Sequence, residues 1–406
     1  MKKTILSVTQ DTTLILYCCI ALMYTVLVPL FFPGGKVGVV VYYTSVSIVC
    51  FLLPLLISYL ALSRGRSCRL SVEVRMVRFR IFAYLLFTCA LFFIYITVEG
   101  NVFFRRIGHK GLAANSLNMP IFWLAFSRLF SETSIFITMV IHVVLLHSGR
   151  RHSKITRFCI LGYFLTVLTF ILINSRMHAL VLLLSHFCIS AMHGDKKKVY
   201  RAVPKLTALA FAAIVVVLVS RATLAEGQAS ASSLLSIVNS GASTTERLNG
   251  SDILVDLHED IAQKGLMHGA AWKNSIMVYY YMIFDTAKYF WLKDNMRTTP
   301  KVTIYEHYRG EHIIDRPSSI IADVYVNFGA LGLILSGVIV GALLSYVRFG
   351  LNNTTSTFTF LSSLYLIPLL FQFEKEFISL IIMLLKYSIT LFLLYKLKLF
   401  SVNRLK

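Results

Sequence analysis

Residues 320–347 read IIADVYVNFGALGLILSGVIVGALLSYV. Asp323 is the one charged residue in this stretch, and a helix of this length exceeds the about 30 Å hydrocarbon core of a bilayer. Pro317 suits the first turn of a helix, and Ser318 or Ser319 can satisfy the free N–H groups there. The stretch therefore predicts a membrane-spanning helix that begins close to residue 320.

Two spacings within this helix predict what surrounds it. Ser319, Asp323 and Asn327 recur at intervals of four and form a polar stripe, which belongs in a bundle interior or against a water-filled cavity. Further along, the spacing Gly337-x-x-x-Gly341 lets another helix approach closely. We expect one face of this helix to be buried against neighbouring spans.

The whole chain has the composition of a polytopic helical membrane protein. Hydrophobic residues make up 57% of its 406 residues, and the mean hydropathy is +0.71. We predict an all-α integral membrane protein with about ten transmembrane helices. The predicted spans are 12–33, 37–62, 81–98, 129–147, 156–174, 177–193, 205–220, 320–346, 355–373 and 377–395. They define a membrane domain at 1–220 with spans one to seven, a large external loop at 221–319, and a membrane domain at 320–406 with spans eight to ten and a cytoplasmic tail.

The distribution of charge predicts the orientation. With the N-terminus in the cytoplasm, the cytoplasmic segments hold 22 of the 40 Lys and Arg against three acidic residues, so they carry +19 of the formal +21. This is the positive-inside pattern, and it places both termini in the cytoplasm. The excess of basic residues is explained by the topology and by contact with anionic lipid. A nucleic-acid partner is therefore not expected.

Two further features set the context of the chain. The opening MKKTILSVTQDTT shows no cleavage pattern before the first span, so we expect no cleavable signal peptide. The seven cysteines fall in predicted spans or on the cytoplasmic side, and neither a disulfide framework nor a metal-binding spacing is present.

Three external segments depart from a simple bundle. The loop after span three has more basic than acidic residues, Arg105 and Arg106 among them. This excess of positive charge predicts an anionic partner. The stretch ILINSRMHALV at 171–181 holds Arg176 and His178 between two spans, at the depth of the outer membrane interface. The third segment, at 221–319, is too long for a simple connection and is expected to be functional or separately folded.

The long loop has a coarse internal pattern. Residues 251–265 predict a short amphipathic helix, with Ser251 as a possible N-cap, Gly265 as its stop, and apolar positions at 253, 254, 257 and 261. Residues 274–292 are ambiguous, because their length permits a span, while Asp285, Lys288 and seven aromatic residues favour a re-entrant or interfacial helix. His258, Glu259 and Asp260 adjoin one another but would point in different directions on a helix, so a metal site is not expected there.

The end of the loop resembles a known family. The pattern Glu311-His312, Arg316-Pro317-Ser318-Ser319, Tyr325 and then NFGALG, with Arg176 after a short turn, resembles the bacterial O-antigen and oligosaccharide repeat-unit polymerases of the Wzy type, relatives of the O-antigen ligases. The resemblance implies a GT-C-like glycosyltransferase fold in the inner membrane, with the large loop in the periplasm before the last three spans. It also implies a role in lipopolysaccharide biosynthesis. The substrate on both the donor and acceptor side would be an oligosaccharide linked to undecaprenyl pyrophosphate, and a chain-length regulator protein is a possible partner.

The residue types fit that chemistry. Arginine matches phosphate oxygens and stabilises charge on a leaving pyrophosphate, and a histidine or carboxylate can deprotonate an acceptor hydroxyl. We expect catalytic roles for His312, Arg316, Arg176 and Glu311. We expect substrate-binding roles for Arg221, His178, Arg105, Arg106, Asp323 and Tyr325. No Asp-x-Asp pair is present, so a lipid pyrophosphate donor fits better than a metal-bound nucleotide sugar, and no metal or cofactor is expected.

Two other functions stay open. An O-antigen ligase would use the same donor with lipid A core as acceptor. A transporter or flippase for the lipid-linked sugar should show inverted repeats and spans interrupted near the middle of the membrane. The sequence shows no internal repeat, and its candidate polar residues are concentrated on one face.

Overall fold

The protein is a bundle of apolar helices, seen in a computed structural model. The structure describes residues 12–31, 36–63, 70–75, 78–79, 82, 89, 91, 135–143, 176–193, 252–284, 300–311, 319–373 and 377–404. The helices are α1 (Thr12–Phe31), α2 (Val37–Leu62), α3 (135–143), α4 (Arg176–His193), α5 (Asp252–Asp256), α6 (His258–Lys264), α7 (Ala270–Phe284), α8 (Pro300–Arg309), α9 (Ile320–Asn352), α10 (Thr357–Leu370) and α11 (Phe377–Leu397). Two strands, β1 (Leu70–Val74) and β2 (Phe400–Arg404), complete the described elements.

The helices confirm a helical membrane protein. By length and composition α1, α2 and α9 can each cross a bilayer, and α10 is a shorter apolar helix. Helices α4 and α11 lie where spans six and ten were predicted, and α3 lies within the predicted span four. The predicted spans at 81–98, 156–174 and 205–220 lie outside the described residues, apart from three isolated positions in the first of them.

Helix α1 contains a proline, and α2 supplies the hydrogen-bond donor that the proline lacks. Met23–Leu27 forms a π-helical turn directly before Pro29, whose missing N–H leaves the Thr25 carbonyl without its helical donor. The Thr44 hydroxyl of α2 donates to that carbonyl at 3.2 Å. The bond gives this carbonyl a donor, which surrounding hydrocarbon could not supply, and it joins the first two predicted spans.

Helix α9 lies directly on α2, as its glycine spacing predicted. A Cβ atom on Gly337 would overlap the carbonyl oxygen of Phe51, and one on Gly341 would overlap the carbonyl oxygen of Leu55. The two backbones are therefore in contact over this stretch, which a side chain at either glycine would prevent. This contact fixes the C-terminal half of α9 against the C-terminal half of α2.

A small sheet corrects the all-α prediction. Strands β1 and β2 pair antiparallel, with Val72 opposite Val402. The β-branched residues Val72 and Val74 of β1 and Val402 of β2 favour strands, but each segment alone is too short for the pattern to identify a strand. Because β1 follows α2 and β2 follows α11, the C-terminal ends of those two helices lie at the same end of the bundle.

Residues 221–319, predicted to form a large loop, contain four described helices. The predicted helix at 251–265 is divided into α5 and α6 by a turn at Leu257, where φ is −95° and ψ is 13°. Its predicted apolar positions are all buried, and α6 ends at Gly265, where φ is +78°. Helix α7 begins at Ala270, before the ambiguous segment 274–292, and residues 285–292 of that segment lie outside the described part.

Candidate functional site at the N-terminal end of helix α9

The first turns of α9 are polar and buried. The Ser319 hydroxyl accepts a hydrogen bond from the Ala322 N–H at 3.2 Å and caps the helix, as predicted. Ser319, Asp323 and Asn327 are each 0% exposed, so the predicted polar stripe faces the bundle interior. A carboxylate buried this deeply has to be held by hydrogen bonds.

Three donors hold the Asp323 carboxylate. Trp272 Nε1–H of α7 donates to Oδ1 at 2.8 Å, and the backbone N–H of Phe377 at the start of α11 donates to Oδ2 at 2.9 Å. The Asn327 amide donates to Oδ1 at 3.3 Å and to the Asp323 carbonyl at 2.8 Å. Asp323 thus connects α7, α9 and α11. The Asn327 Oδ1 atom is buried and accepts no hydrogen bond within the described part of the chain.

Replacing Asp323 by Ala is expected to destabilise this end of the bundle. The variant leaves the Trp272 and Phe377 N–H groups buried without their acceptor, at about 1–3 kcal/mol each. Trp272→Phe keeps the ring contacts and removes one donor. We expect the double variant to lose less stability than the sum of the two single variants, by about 0.5–3 kcal/mol. Thermal unfolding in detergent measures all four proteins, and additive losses would contradict the bond.

The helix breaks at Gly329. This residue has φ +62° and ψ −151°, a conformation open almost only to glycine. The break removes helical donors from the carbonyls before it, and two backbone N–H groups of the α6–α7 connection replace them. Met267 N–H donates to the Val326 carbonyl at 3.0 Å, and His268 N–H donates to the Asn327 carbonyl at 2.9 Å. The connection between α6 and α7 is therefore hydrogen-bonded to the backbone of α9.

An aromatic cluster lies on another side of the same turns. Tyr325 contacts Tyr43 edge-on at 5.3 Å between ring centroids, and its hydroxyl lies 3.3 Å from the Tyr42 hydroxyl. The Tyr43 hydroxyl lies 3.1 Å from Nδ1 of His258, at the start of α6. We call Tyr42, Tyr43, Tyr325 and His258 the tyrosine–histidine cluster. It brings α2, α6 and α9 together at one place.

Ion pairs join α8 to α5 and α6 beside this cluster. Arg309 of α8 binds Asp256 at 3.2 Å and Asp260 at 3.0 Å, and Tyr305 donates to Asp256 at 3.0 Å. Partial burial acts against the Arg309 charge, but the bonds and charges of the two carboxylates outweigh it and raise its pKa. Burial raises the pKa of the Tyr308 phenol to about 12, and this hydroxyl donates to the Gly265 carbonyl at 2.6 Å.

The predicted site residues divide into two groups. The structure brings Asp323 and Tyr325 to the first turns of α9, places Glu311 exposed just after α8, and puts Arg176 and His178 in the first turn of α4. Both carboxylate oxygens of Asp323 accept hydrogen bonds from the protein, so this buried residue holds α7 and α11 against α9. The other predicted site residues lie outside the described part of the chain: Arg105, Arg106, Arg221, His312 and Arg316.

Sequence reasoning missed several partners. Trp272 and His258 are separated from their partners on α9 and α2 by 51 and 215 residues, so no local pattern connects them. The adjacent Tyr42 and Tyr43 near the start of a predicted span were the available indication. The side chains of His258, Glu259 and Asp260 were expected to point in different directions. The contacts agree, since His258 faces Tyr43 while Asp260 faces Arg309.

A second polar contact, also missed, joins α3 and α4. The rings of His142 and His186 are 4.6 Å apart, and His142 Nε2 lies 2.7 Å from the Ser190 hydroxyl. His186 Nε2 lies 3.4 Å from the Thr138 hydroxyl. Histidines inside a membrane bundle are rare and usually face protein partners, as these two do.

Comparison with protein-family models, with curated proteins and with solved structures found no match to this chain. The site therefore has to be interpreted from its own residues and geometry.

Proposed function

We propose that the protein is a repeat-unit polymerase, a metal-independent glycosyltransferase of the inner membrane. It would move a growing glycan from undecaprenyl pyrophosphate onto the next lipid-linked repeat unit, at the periplasmic face. The ten-span GT-C-like architecture and the cytoplasmic termini belong to the same proposal. It rests on the resemblance of residues 311–332 and on the arrangement of the outer turns of α9.

The observation that carries the proposal is the capped start of α9. Residues 320–328 form a short helix ended by the break at Gly329, and Ser319 caps it. The positive end of a helix dipole favours an anion. Arg316 precedes the cap by three residues in the sequence, and Glu311 is exposed eight residues before it. A cation, Arg316, and a candidate general base, Glu311, thus precede a helix N-terminus in the sequence. Both kinds of group suit transfer from a pyrophosphate.

In the proposed reaction the bond between the sugar's anomeric carbon and the pyrophosphate oxygen breaks, and the pyrophosphate leaves with the electron pair. Arg316 and Arg176 stabilise its charge. The acceptor hydroxyl oxygen forms the new bond to that carbon. Its proton passes to His312, with Glu311 as the alternative base.

The break at Gly329 bears on the transporter alternative. After the break, α9 continues for about 23 residues, or about 34 Å, which crosses the about 30 Å hydrocarbon core without the preceding segment. We therefore place the break near the outer boundary of the membrane. Interrupted helices of transporters carry their sites near the midplane, so this position favours an enzyme acting at the outer face.

Deletion of the gene, followed by gel display of surface polysaccharide, tests the proposed function. A single repeat unit on the lipid A core means that a polymerase was lost. Complete absence of repeats means a ligase or a flippase, and an unchanged ladder of repeats contradicts all three functions. Complementation with the intact gene should restore the ladder.

The proposed orientation predicts a labelling pattern. Gln263 of α6 and Arg75, next to β1, are both exposed and lie in segments predicted on opposite sides of the membrane. Gln263→Cys should react with an impermeant maleimide applied to intact spheroplasts, and Arg75→Cys should react only after permeabilisation. The unmodified protein gives the background of its native cysteines. The reverse pattern would put the site on the cytoplasmic side and remove the exported substrate.

Arg176→Lys tests the role of the guanidinium. Lysine keeps the charge but loses the paired N–H donors that match phosphate oxygens, so we expect polymer formation to fall about tenfold or more. Arg348→Lys is the matched control. Arg348 lies near the C-terminal end of α9, far from its capped start, and donates to the Tyr59 hydroxyl at 3.2 Å. Both variants are compared at equal membrane abundance. Wild-type polymer from Arg176→Lys would identify Arg176 as an interfacial anchor.

A further inference from the structure

We propose that the tyrosine–histidine cluster is a saccharide-binding platform, on which one sugar ring of the substrate stacks against Tyr42. The proposal rests on the proposed function, which supplies a glycan at the outer face. It adds a binding site made of Tyr42, Tyr43, Tyr325 and His258, on the side of α9 that faces α2 and α6.

Exposure divides the cluster into a support and a contact surface. Tyr43 is 2% exposed and packs edge-on against Tyr42, Tyr325 and His258, at centroid distances between 5.1 and 5.6 Å. Tyr42 is 48% exposed, so its ring meets the surroundings while Tyr43 fixes its position. A rigid aromatic ring that stays open is a contact surface prepared before the ligand arrives.

The edges of the cluster carry neutral hydrogen-bonding groups. The Tyr42 and Tyr325 hydroxyls lie 3.3 Å apart, and each can donate one hydrogen bond and accept others. His258 uses Nδ1 toward Tyr43, and its second ring nitrogen remains available to a ligand hydroxyl as far as the described residues show. An aromatic face bordered by such groups matches a pyranose, which has an apolar C–H face and a rim of hydroxyls.

The charges nearby argue against an anion here. Asp256 and Asp260 lie on the same external helices and bind Arg309, so the neighbouring cation is already engaged. Glu259, next to His258, is exposed and repels phosphate. The neutral part of the glycan therefore fits this place, and the pyrophosphate fits the arginines.

The platform lies close to the proposed reaction centre. Tyr325 follows the N-cap Ser319 by six residues, which is a rise of about 9 Å along the helix. A sugar on Tyr42 is then within the length of one short oligosaccharide from the start of α9. One repeat unit can contact the platform and the reacting end at the same time.

Initial rates of the purified protein against concentration of lipid-linked repeat unit test the platform. Tyr42→Ala should raise KM about tenfold or more with a smaller change in kcat, because it removes binding that precedes the chemical step. Tyr42→Phe keeps the ring but removes one hydroxyl from its rim, so its KM should lie between those of wild type and Tyr42→Ala. Tyr280→Ala, which removes a 56% exposed tyrosine of α7, should behave as wild type. An unchanged KM for Tyr42→Ala overturns the platform, as does an equal rise for Tyr280→Ala, which would indicate contact with lipid.

A binding measurement separates this proposal from the proposed function. Saturation-transfer NMR uses the repeat-unit oligosaccharide released by mild acid from the host's own lipid-linked intermediates. Transfer to wild type and to Tyr280→Ala, with loss of transfer to Tyr42→Ala, supports the platform. Absence of transfer to wild type, or equal transfer to Tyr42→Ala, overturns it even if gene deletion has identified a polymerase. An unchanged polysaccharide ladder after gene deletion contradicts the proposed function, and in that case transfer lost only in Tyr42→Ala would still identify a saccharide site.

Discussion

Gly341→Leu is expected to abolish the accumulation of folded protein. A Cβ atom at this position already overlaps the carbonyl oxygen of Leu55 and lies 3.1 Å from Cβ of Ser58, so a leucine has no rotamer that avoids α2. Backbone of one helix cannot give way as a flexible side chain can. The cost therefore reaches or exceeds the about 3 kcal/mol found for overpacked cores, a large part of a typical domain's stability.

Gly38→Leu is the matched control. Gly38 lies in the first turn of α2, is exposed, and has nothing within 4 Å of an added Cβ atom. Size-exclusion profiles in detergent and the membrane abundance of both variants measure the outcome, and Gly38→Leu should match wild type. Monodisperse Gly341→Leu protein with wild-type thermal unfolding would contradict the close contact between α2 and α9.

Arg316→Gln is expected to abolish polymer formation in a protein that still folds. Removing one preorganised group that stabilises developing charge lowers a catalysed rate by about 10²–10³-fold, and glutamine supplies no positive charge at any pH. The lipid-linked substrate should accumulate in cells. Arg309→Gln is the matched control, since Arg309 is seven residues away and pairs with Asp256 and Asp260. Polymer formation by purified Arg316→Gln within tenfold of wild type would remove it from the reaction centre.

The proposed base can be tested in the same assay. His312→Ala should be inactive, while His312→Glu should recover part of the activity, because a carboxylate can also accept the proton. Rates are followed between about pH 5.5 and 9, a range that includes the ordinary histidine pKa of about 6.5. Near-normal polymer from His312→Ala throughout that range would transfer the role to Glu311.

The sequence predicted the parts of the fold that depend on local composition. The start of α9 at Ile320, its Ser319 cap and the close approach at Gly337 and Gly341 follow from residue types at fixed spacings. The break at Gly329 was not predicted, because glycine fits both a continuous helix and a break. Only the hydrogen bonds from Met267 and His268, about 60 residues earlier in the chain, decide between them.

The sequence identified residues of the candidate site by their type, but it did not identify the residues that they contact. Asp323 was identified from the polar stripe in the predicted span, and Tyr325 from the family resemblance. Their partners were not, because Trp272 and Tyr42 reach them across 51 and 283 residues of chain. Such distant contacts depend on how all helices pack, and no local period reports that.

The pairing of β1 with β2 also has a consequence for biosynthesis. The ribosome delivers residue 70 about 330 residues before residue 400, which at about 5–20 residues per second is an interval of about 17 to 66 s. During that interval β1 has an unpaired edge at the membrane surface, where its basic neighbours Arg75 and Arg78 disfavour association with other strands. The sheet closes only when α11 has been inserted. Its closure thus marks completion of the bundle, and proteolytic protection of residues 70–75 during synthesis would time the last step of assembly.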